Sequence, residues 1–374
     1  MLPVSRPSTG KEELDEMEKV LKTGWLGLGS VVFDFENLLK DYLGVKNVIA
    51  VNTGTSAIHI ALDGFGISTG DEVIVPSMTF AATIQAILAV DATPVFCEVE
   101  VDTLNVDVAD VKKRLTTRTK AIVPVHYCGN ACDMDALLAL ARHRGIKVIE
   151  DAAHAFGSSY KGRKIGGFGD AACFSFDPIK NITCGEGGAV TLNDDEVAEK
   201  IRRKRILGID KDTWHRYRNE RTWFYEVTDT GYRYHMSNLS AAMGIAQFRK
   251  MDKFIARKRE ITMRYDKEFK GLPGIKILRN DYQETAQFCY ILRVESGRDA
   301  MMDFLKSKGV GSGVHYIPNH IQPVFKKYTT GPLPVTERLS EQIITLPLYY
   351  DMTDADAGLV IESVKEFANA ARKR

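Results

Sequence analysis

Lys180 stands between the apolar run Cys173-Phe174-Ser175-Phe176 and the glycine cluster Gly185-Glu186-Gly187-Gly188. Lysine is ordinarily a freely solvated surface residue, so a primary amine placed between a strand-like segment and a tight turn stands out as a chemical group. Other apolar runs also end in polar residues. Asn52-Thr53-Gly54-Thr55-Ser56 closes one of them and opens a helical pattern. Glycine there lets backbone approach a ligand, and the free amides of a helix start favour an anion such as phosphate. Thr55 and Ser56 add hydroxyl donors, although the same stretch also reads as a simple helix cap. Pro76-Ser77-Met78-Thr79-Phe80 and Glu150-Asp151-Ala152-Ala153-His154 close two further runs, and an acidic pair at a strand end also suits a cap. The glycine cluster lacks GxGxxG spacing and precedes a strand pattern rather than a helix.

Short runs rich in β-branched residues position these groups, at 47–51, 72–75, 93–99, 121–125, 147–149, 171–176 and 188–192. Helical patterns at 56–62, 83–90, 106–115 and 134–144 separate most of the first five. Such alternation predicts a largely parallel sheet of seven strands with helices on both faces, and in that class ligands bind beyond the carboxyl ends of the strands. Leu14, Met17, Val20 and Leu21 have helical spacing, with Ser8 or Thr9 available as cap. Beyond the sheet, a charged helix at 195–207 leads through an aromatic-rich stretch at 213–234 to a long helical region from 237 to about 269. A strand pattern at 287–294 and helices near 300–308 and 355–371 suggest a smaller α+β unit. The division is placed near residue 250: a large α/β domain at 1–250 and a small C-terminal domain at 251–374.

The formal net charge of +1 argues against nucleic acid or an acidic membrane surface as partner. No apolar stretch approaches the length of a membrane span, and residues 1–11 lack a signal-peptide core, so a cytoplasmic protein is expected. Six thinly spread cysteines suit reduced, mostly buried thiols. His126, Cys128 and Cys132 are poorly spaced for zinc, and no metal is expected. Arg202-Arg203-Lys204-Arg205, followed by Lys211, His215, Arg216, Arg218 and Arg221, reads first as a solvated helix face.

Taken together, the strand-end pieces resemble the DegT/DnrJ/EryC1/StrS sugar aminotransferases, pyridoxal 5'-phosphate (PLP) enzymes of fold type I. The matching pieces run in family order over nearly the whole chain. They are Gly24-Trp25-Leu26, Asn52 to Ala57, Pro76 to Phe80, Pro124-Val125-His126-Tyr127-Cys128-Gly129, Glu150 to Ala155, Phe174-Ser175-Phe176 through Lys180-Asn181 to Ala189, Gly231-Tyr232-Arg233-Tyr234, and His315-Tyr316. The resemblance implies that Lys180 holds the PLP aldehyde as an imine and then shuttles protons, and that Asp151 faces the pyridine nitrogen. It implies Phe80 stacked on the ring, His154 near the phenolic oxygen, and Gly54, Thr55, Ser56 and Ser175 around the phosphate.

Many family members carry asparagine where this chain has Arg233, at a position that reaches the phosphate in the partner subunit. Arginine can serve that anion or a substrate diphosphate, and either role implies a homodimer with shared active sites. Trp25, Arg218, Arg221, His315, Tyr316 and His320 are candidate substrate contacts, each with an ordinary loop or surface role as its alternative. The implied reaction passes an amino group from glutamate, leaving 2-oxoglutarate, to C3 or C4 of a nucleotide-linked keto-deoxysugar in aminosugar and polysaccharide biosynthesis. Alternatives are a keto-cyclitol or other small substrate, or a non-catalytic regulator. A sugar dehydratase of the family has histidine at the lysine position, and Lys180 stands against it.

Overall fold

The computed structural model describes residues 1–210 and 225–371. Two helices lead in, α1 (Lys11–Thr23) and α2 (Ser30–Leu43). Neither Ser8 nor Thr9 caps α1. The helix starts after Gly10, whose N–H donates to Glu13 Oε2 at 2.7 Å, so the acidic side chain one turn in does the capping. Helix α2 was not anticipated; its stripe of Val32, Phe35 and Leu39 is fully buried.

Strands and helices then alternate. The first are β1 (Asn47–Val51), α3 (Gly54–Gly64), β2 (Glu72–Pro76), α4 (Ala81–Ala89) and β3 (Thr93–Cys97). They are followed by α5 (Val108–Arg114), β4 (Thr119–Ile122), α6 (Met134–Arg142) and β5 (Lys147–Asp151). A small hairpin of β6 (Ser159–Tyr160) and β7 (Arg163–Lys164) precedes β8 (Ala171–Ser175), β9 (Gly188–Leu192) and α7 (Asp195–Lys204).

The seven longer strands form one sheet in the order β1-β9-β8-β5-β4-β2-β3, in which β9 alone runs against its neighbours. Both faces are covered, which is why these strands read as continuous apolar runs rather than alternating ones. Ile49, Val51, Val73 and Val75 pack with α3, α4 and α7, while Val48, Ala50, Ala172 and Phe174 pack against α2 and the helix described next.

That helix, α8 (Asn238–Phe269), spans 32 residues and serves two cores. Ala241, Met251 and Ile255 pack beneath the large sheet; Ile261, Tyr265 and Phe269 pack on a smaller one. The smaller sheet is antiparallel, with β11 (Tyr290–Val294) between β10 (Ile275–Ile277) and β12 (Ile343–Leu346). It is accompanied by α9 (Arg298–Ser307), α10 (Pro334–Gln342) and α11 (Asp354–Ala371). Residue 250 thus falls inside a continuous helix whose packing partner changes between Ile255 and Ile261. The amino terminus returns to this unit, with Leu2 bridging Val310 and Val4 O accepting from Leu348 N at 3.0 Å. Among the described residues no helix is long and apolar enough to cross a membrane.

Candidate active site

The carboxyl ends of four parallel strands of the sheet, β1, β8, β5 and β2, face one site, as the sheet topology requires of a ligand site. Asp151 ends β5 and Ser175 ends β8; Thr53 and Gly54 join β1 to α3; Phe80 follows β2 and caps α4. Together with Thr55, His154, Lys180, His315 and Tyr316 they line a cavity of about 280 Å³.

At the start of α3, Thr53 Oγ1 accepts from Ser56 N at 3.0 Å and lies 2.9 Å from Ser56 Oγ. The hydroxyl of Ser56 is therefore turned into the cap, buried and off the cavity wall, while Thr55 is exposed on it. A Cβ on Gly54 would lie 2.7 Å from Ser175 Cβ. Only glycine lets the helix start approach β8 this closely, which leaves first-turn amides and the Ser175 hydroxyl on one small concavity suited to phosphate.

Asp151 sits on the cavity floor, 4% exposed. Its Oδ2 accepts from Thr83 Oγ1 at 2.7 Å and its Oδ1 from Ala153 N at 3.1 Å. Burial raises its carboxyl above the usual range, against the lowering effect of those two hydrogen bonds. A cation opposite it would reverse that balance and hold the carboxylate ionised.

Lys180 follows β8 on a turn secured by its own N–H donating to Asp177 O at 3.1 Å. Its Nζ lies 4.3 Å from the centroid of the Phe288 ring. Burial lowers the amine's pKa below the ordinary lysine value, with Asp151 and Asp177 pulling the other way. His154 stacks on the same ring at 4.1 Å and 15°. Its Nε2 meets Tyr316 Oη at 2.9 Å, and its Nδ1 is buried with no partner among the described residues. Burial, then the charge of Lys180, holds this imidazole neutral. His315, with Nδ1 2.7 Å from Thr345 Oγ1, is pushed down to about 4 for the same reasons. Phe80 stands at the mouth, 60% exposed, with its ring 5.6 Å from that of Tyr316.

Three expected contacts lie elsewhere. His320 is buried between Ser77 Oγ at 2.7 Å and Glu337 Oε1 at 3.1 Å, away from the cavity wall. Trp25 and Arg233 line a separate cavity of about 390 Å³ that shares no residue with the first. There the Trp25 Nε1–H donates to Leu28 O at 2.8 Å. His235 lines it too, its Nδ1 buried without a partner among the described residues. Arg218 and Arg221 lie outside the described residues. His126 is occupied structurally, bonding Glu150 Oε2 at 2.9 Å and accepting from Cys132 N at 3.0 Å.

Thr83, Phe288 and His235 were missed in the sequence. Thr83 carries a readable signal, a hydroxyl on the first turn of the helix after Phe80. His235 lies two residues beyond Arg233 and so had a signal in its neighbour, whereas Phe288 carries none, because its ring reaches Lys180 and His154 from a distant part of the chain.

The sequence model of the DegT/DnrJ/EryC1/StrS aminotransferase family matches residues 7–365. The chain belongs to that family. It is a PLP-dependent sugar aminotransferase with the fold of those enzymes, and the glycine cradle, the floor carboxylate and the half-buried amine fit the cofactor. Spore coat polysaccharide biosynthesis protein SpsC of Bacillus subtilis is 41% identical over 99% of this chain and 98% of its own length. The aminotransferase TlmJ from Streptoalloteichus hindustanus superposes with a TM-score of 0.93 at 34% identity, covering 100% of both chains. Spr1654 of Streptococcus pneumoniae has been solved in PMP and PLP forms. The PMP form gives a TM-score of 0.93 at 28% identity over 99% of this chain and 100% of that one.

Proposed function

We propose that this aminotransferase moves an amino group from glutamate to the keto carbon, C3 or C4, of a nucleotide-linked deoxysugar, with Lys180 as the catalytic residue. The observation that carries the reading is the half-buried Lys180 amine, set in one cavity with Asp151, His154 and the Gly54–Ser175 cradle. When bound, PLP supplies an electron sink for the carbon that gains or loses a proton.

Lys180 Nζ is the anchoring nucleophile, and burial favours the neutral amine this requires. The same Nζ would be placed to hold and move the proton at the reacting carbon. Asp151, its orientation set by Thr83 and Ala153, would hold the pyridine nitrogen of the bound cofactor protonated. His154, with its free Nδ1, and Phe80 at the mouth would help to hold the cofactor ring. Gly54, Thr55 and Ser175 hold the phosphate, with Ser56 supporting Thr53 from behind.

The Arg233 cavity is proposed as the part contributed to the site of a second subunit, so the enzyme acts as a homodimer. Leu26 and Leu207 in its walls are each 43% exposed, as suits a surface that another chain covers. Whether Arg233 meets the cofactor phosphate or the substrate diphosphate, its fork suits the anion. Glutamate added to PLP-loaded protein is expected to bleach the visible cofactor band and release one equivalent of 2-oxoglutarate per site. A panel of nucleotide-linked aminosugars is then expected to restore the band with its true product. Persistence of the band with glutamate would exclude it as donor, and Lys180→Ala is expected to show neither band nor turnover while keeping its secondary structure.

A further inference from the structure

Lys258 lies in the middle of α8, 5% exposed, and among the described residues no carboxylate pairs with it. An unpaired amine so placed is costly, and burial lowers its pKa to about 7. Its one side-chain partner among the described residues is informative: Lys258 Nζ donates to Asn181 Oδ1.

Asn181 follows Lys180 in the chain and is itself 4% exposed. Its Nδ2 donates to Phe156 O at 2.9 Å and to Ala286 O at 3.2 Å. With Lys258 on the oxygen and both N–H donors engaged, the amide can point only one way. Phe156 belongs to the segment after β5 that follows Asp151 and carries His154. Ala286 lies two residues before Phe288, whose ring faces both Lys180 and His154. Asn181 therefore clasps the Lys180 turn to both segments whose groups face its amine, and Lys258 fixes the clasp. A narrow pocket of about 30 Å³ lies at this point, with Lys180, Asn181, Lys258 and Phe288 in its wall.

We propose that Lys258 is a positioning residue for Lys180, acting through the Asn181 amide to set the turn that presents the catalytic amine. Both the ammonium and the neutral amine can donate to Asn181, so the bond survives a change of protonation state. A purely apolar side chain would pack in α8 but would leave Asn181 Oδ1 buried and unpaired, free to release the turn.

The proposal rests on Lys180 being the cofactor's anchor, and the test separates the two. Full-length wild type, Lys258→Met, Asn181→Ala and the double variant are stripped of PLP, reloaded, and reduced with borohydride at intervals. Covalent PLP on Lys180 is then counted by peptide mass spectrometry, alongside kcat, KM and the melting temperature. Capture by Lys258→Met is expected to slow about tenfold, with kcat falling in step and KM nearly unchanged, as befits a misplaced reacting group. The double variant is expected to be no slower than Asn181→Ala, because the two residues act in series. Wild-type capture by Lys258→Met, or losses in the double variant that multiply, would overturn the proposal. So would a deficit that vanishes when assayed well below the melting temperature. Should Lys258→Met not fold, Lys258→Gln takes its place. Its amide donor stops short of Asn181, and capture at the wild-type rate would again overturn the proposal. Absence of label on wild-type Lys180 would instead remove the anchor itself, and this inference with it.

Discussion

His315 shows how burial next to a cation becomes a measurable property. Its pKa falls from 6.5 to about 4, so the folded protein refuses a proton that the unfolded chain accepts. The stabilising contribution is full above about pH 6.5 and is lost as pH falls toward 4, at up to about 1.4 kcal/mol per pH unit. His154, lowered by the same causes, acts in the same sense. Urea midpoints measured at pH 7, 5.5 and 4.5 are expected to fall less steeply for His315→Gln than for wild type. Parallel curves would show that His315 does not carry this part of the acid sensitivity. Lys180 stands out in sequence because a lysine between an apolar run and a tight turn breaks a local expectation, whereas Asp151 and Gly54 also suit plain caps and take their roles from the family resemblance. Phe288 does not stand out, since an aromatic residue in an apolar run is what any core strand contains. Ser56 reads from sequence either as a hydroxyl for a phosphate or as part of a helix cap, and the geometry commits it to the Thr53 cap.

At the level of elements, the large sheet was legible because doubly covered strands leave unbroken apolar runs, and β1 and β9 begin and end where the residue pattern places them. Helix α2 went unread although Val32, Phe35 and Leu39 recur at helical spacing, the pattern of an amphipathic helix. The antiparallel direction of β9 left no mark, since strand direction is set by the connection, not by the run. Contact between α3 and β8 is where element geometry becomes binding geometry. Gly54→Ala places a methyl group 2.7 Å from Ser175 Cβ, so the first turn of α3 must move away from β8. Overpacking of this kind costs about 1–3 kcal/mol. The variant is expected to unfold at lower urea and to hold PLP more weakly, as read by absorbance titration. An unchanged PLP affinity would mean that the Gly54 amides do not face the phosphate.

For the whole molecule, the deciding feature is that Arg233 and Lys180 belong to one chain but to different cavities. If both served the same chain's site, Lys180→Ala and Arg233→Ala could never complement each other. If Arg233 serves the neighbouring subunit, a mixed dimer of the two variants carries both lesions in one site and none in the other. Random reassortment of equal amounts makes half the dimers mixed, so activity is expected to recover to about a quarter of wild type. Each variant alone is expected to be far less active: Lys180→Ala for want of an amine, Arg233→Ala for want of a bidentate partner to a buried anion, a loss of about 2–5 kcal/mol. Co-purification through two affinity tags isolates the mixed dimer, which is then expected to show half the wild-type activity per dimer. Activity no higher than the sum of the parents would place Arg233 outside the partner's site. The exposed leucines around its cavity would then need a different cover.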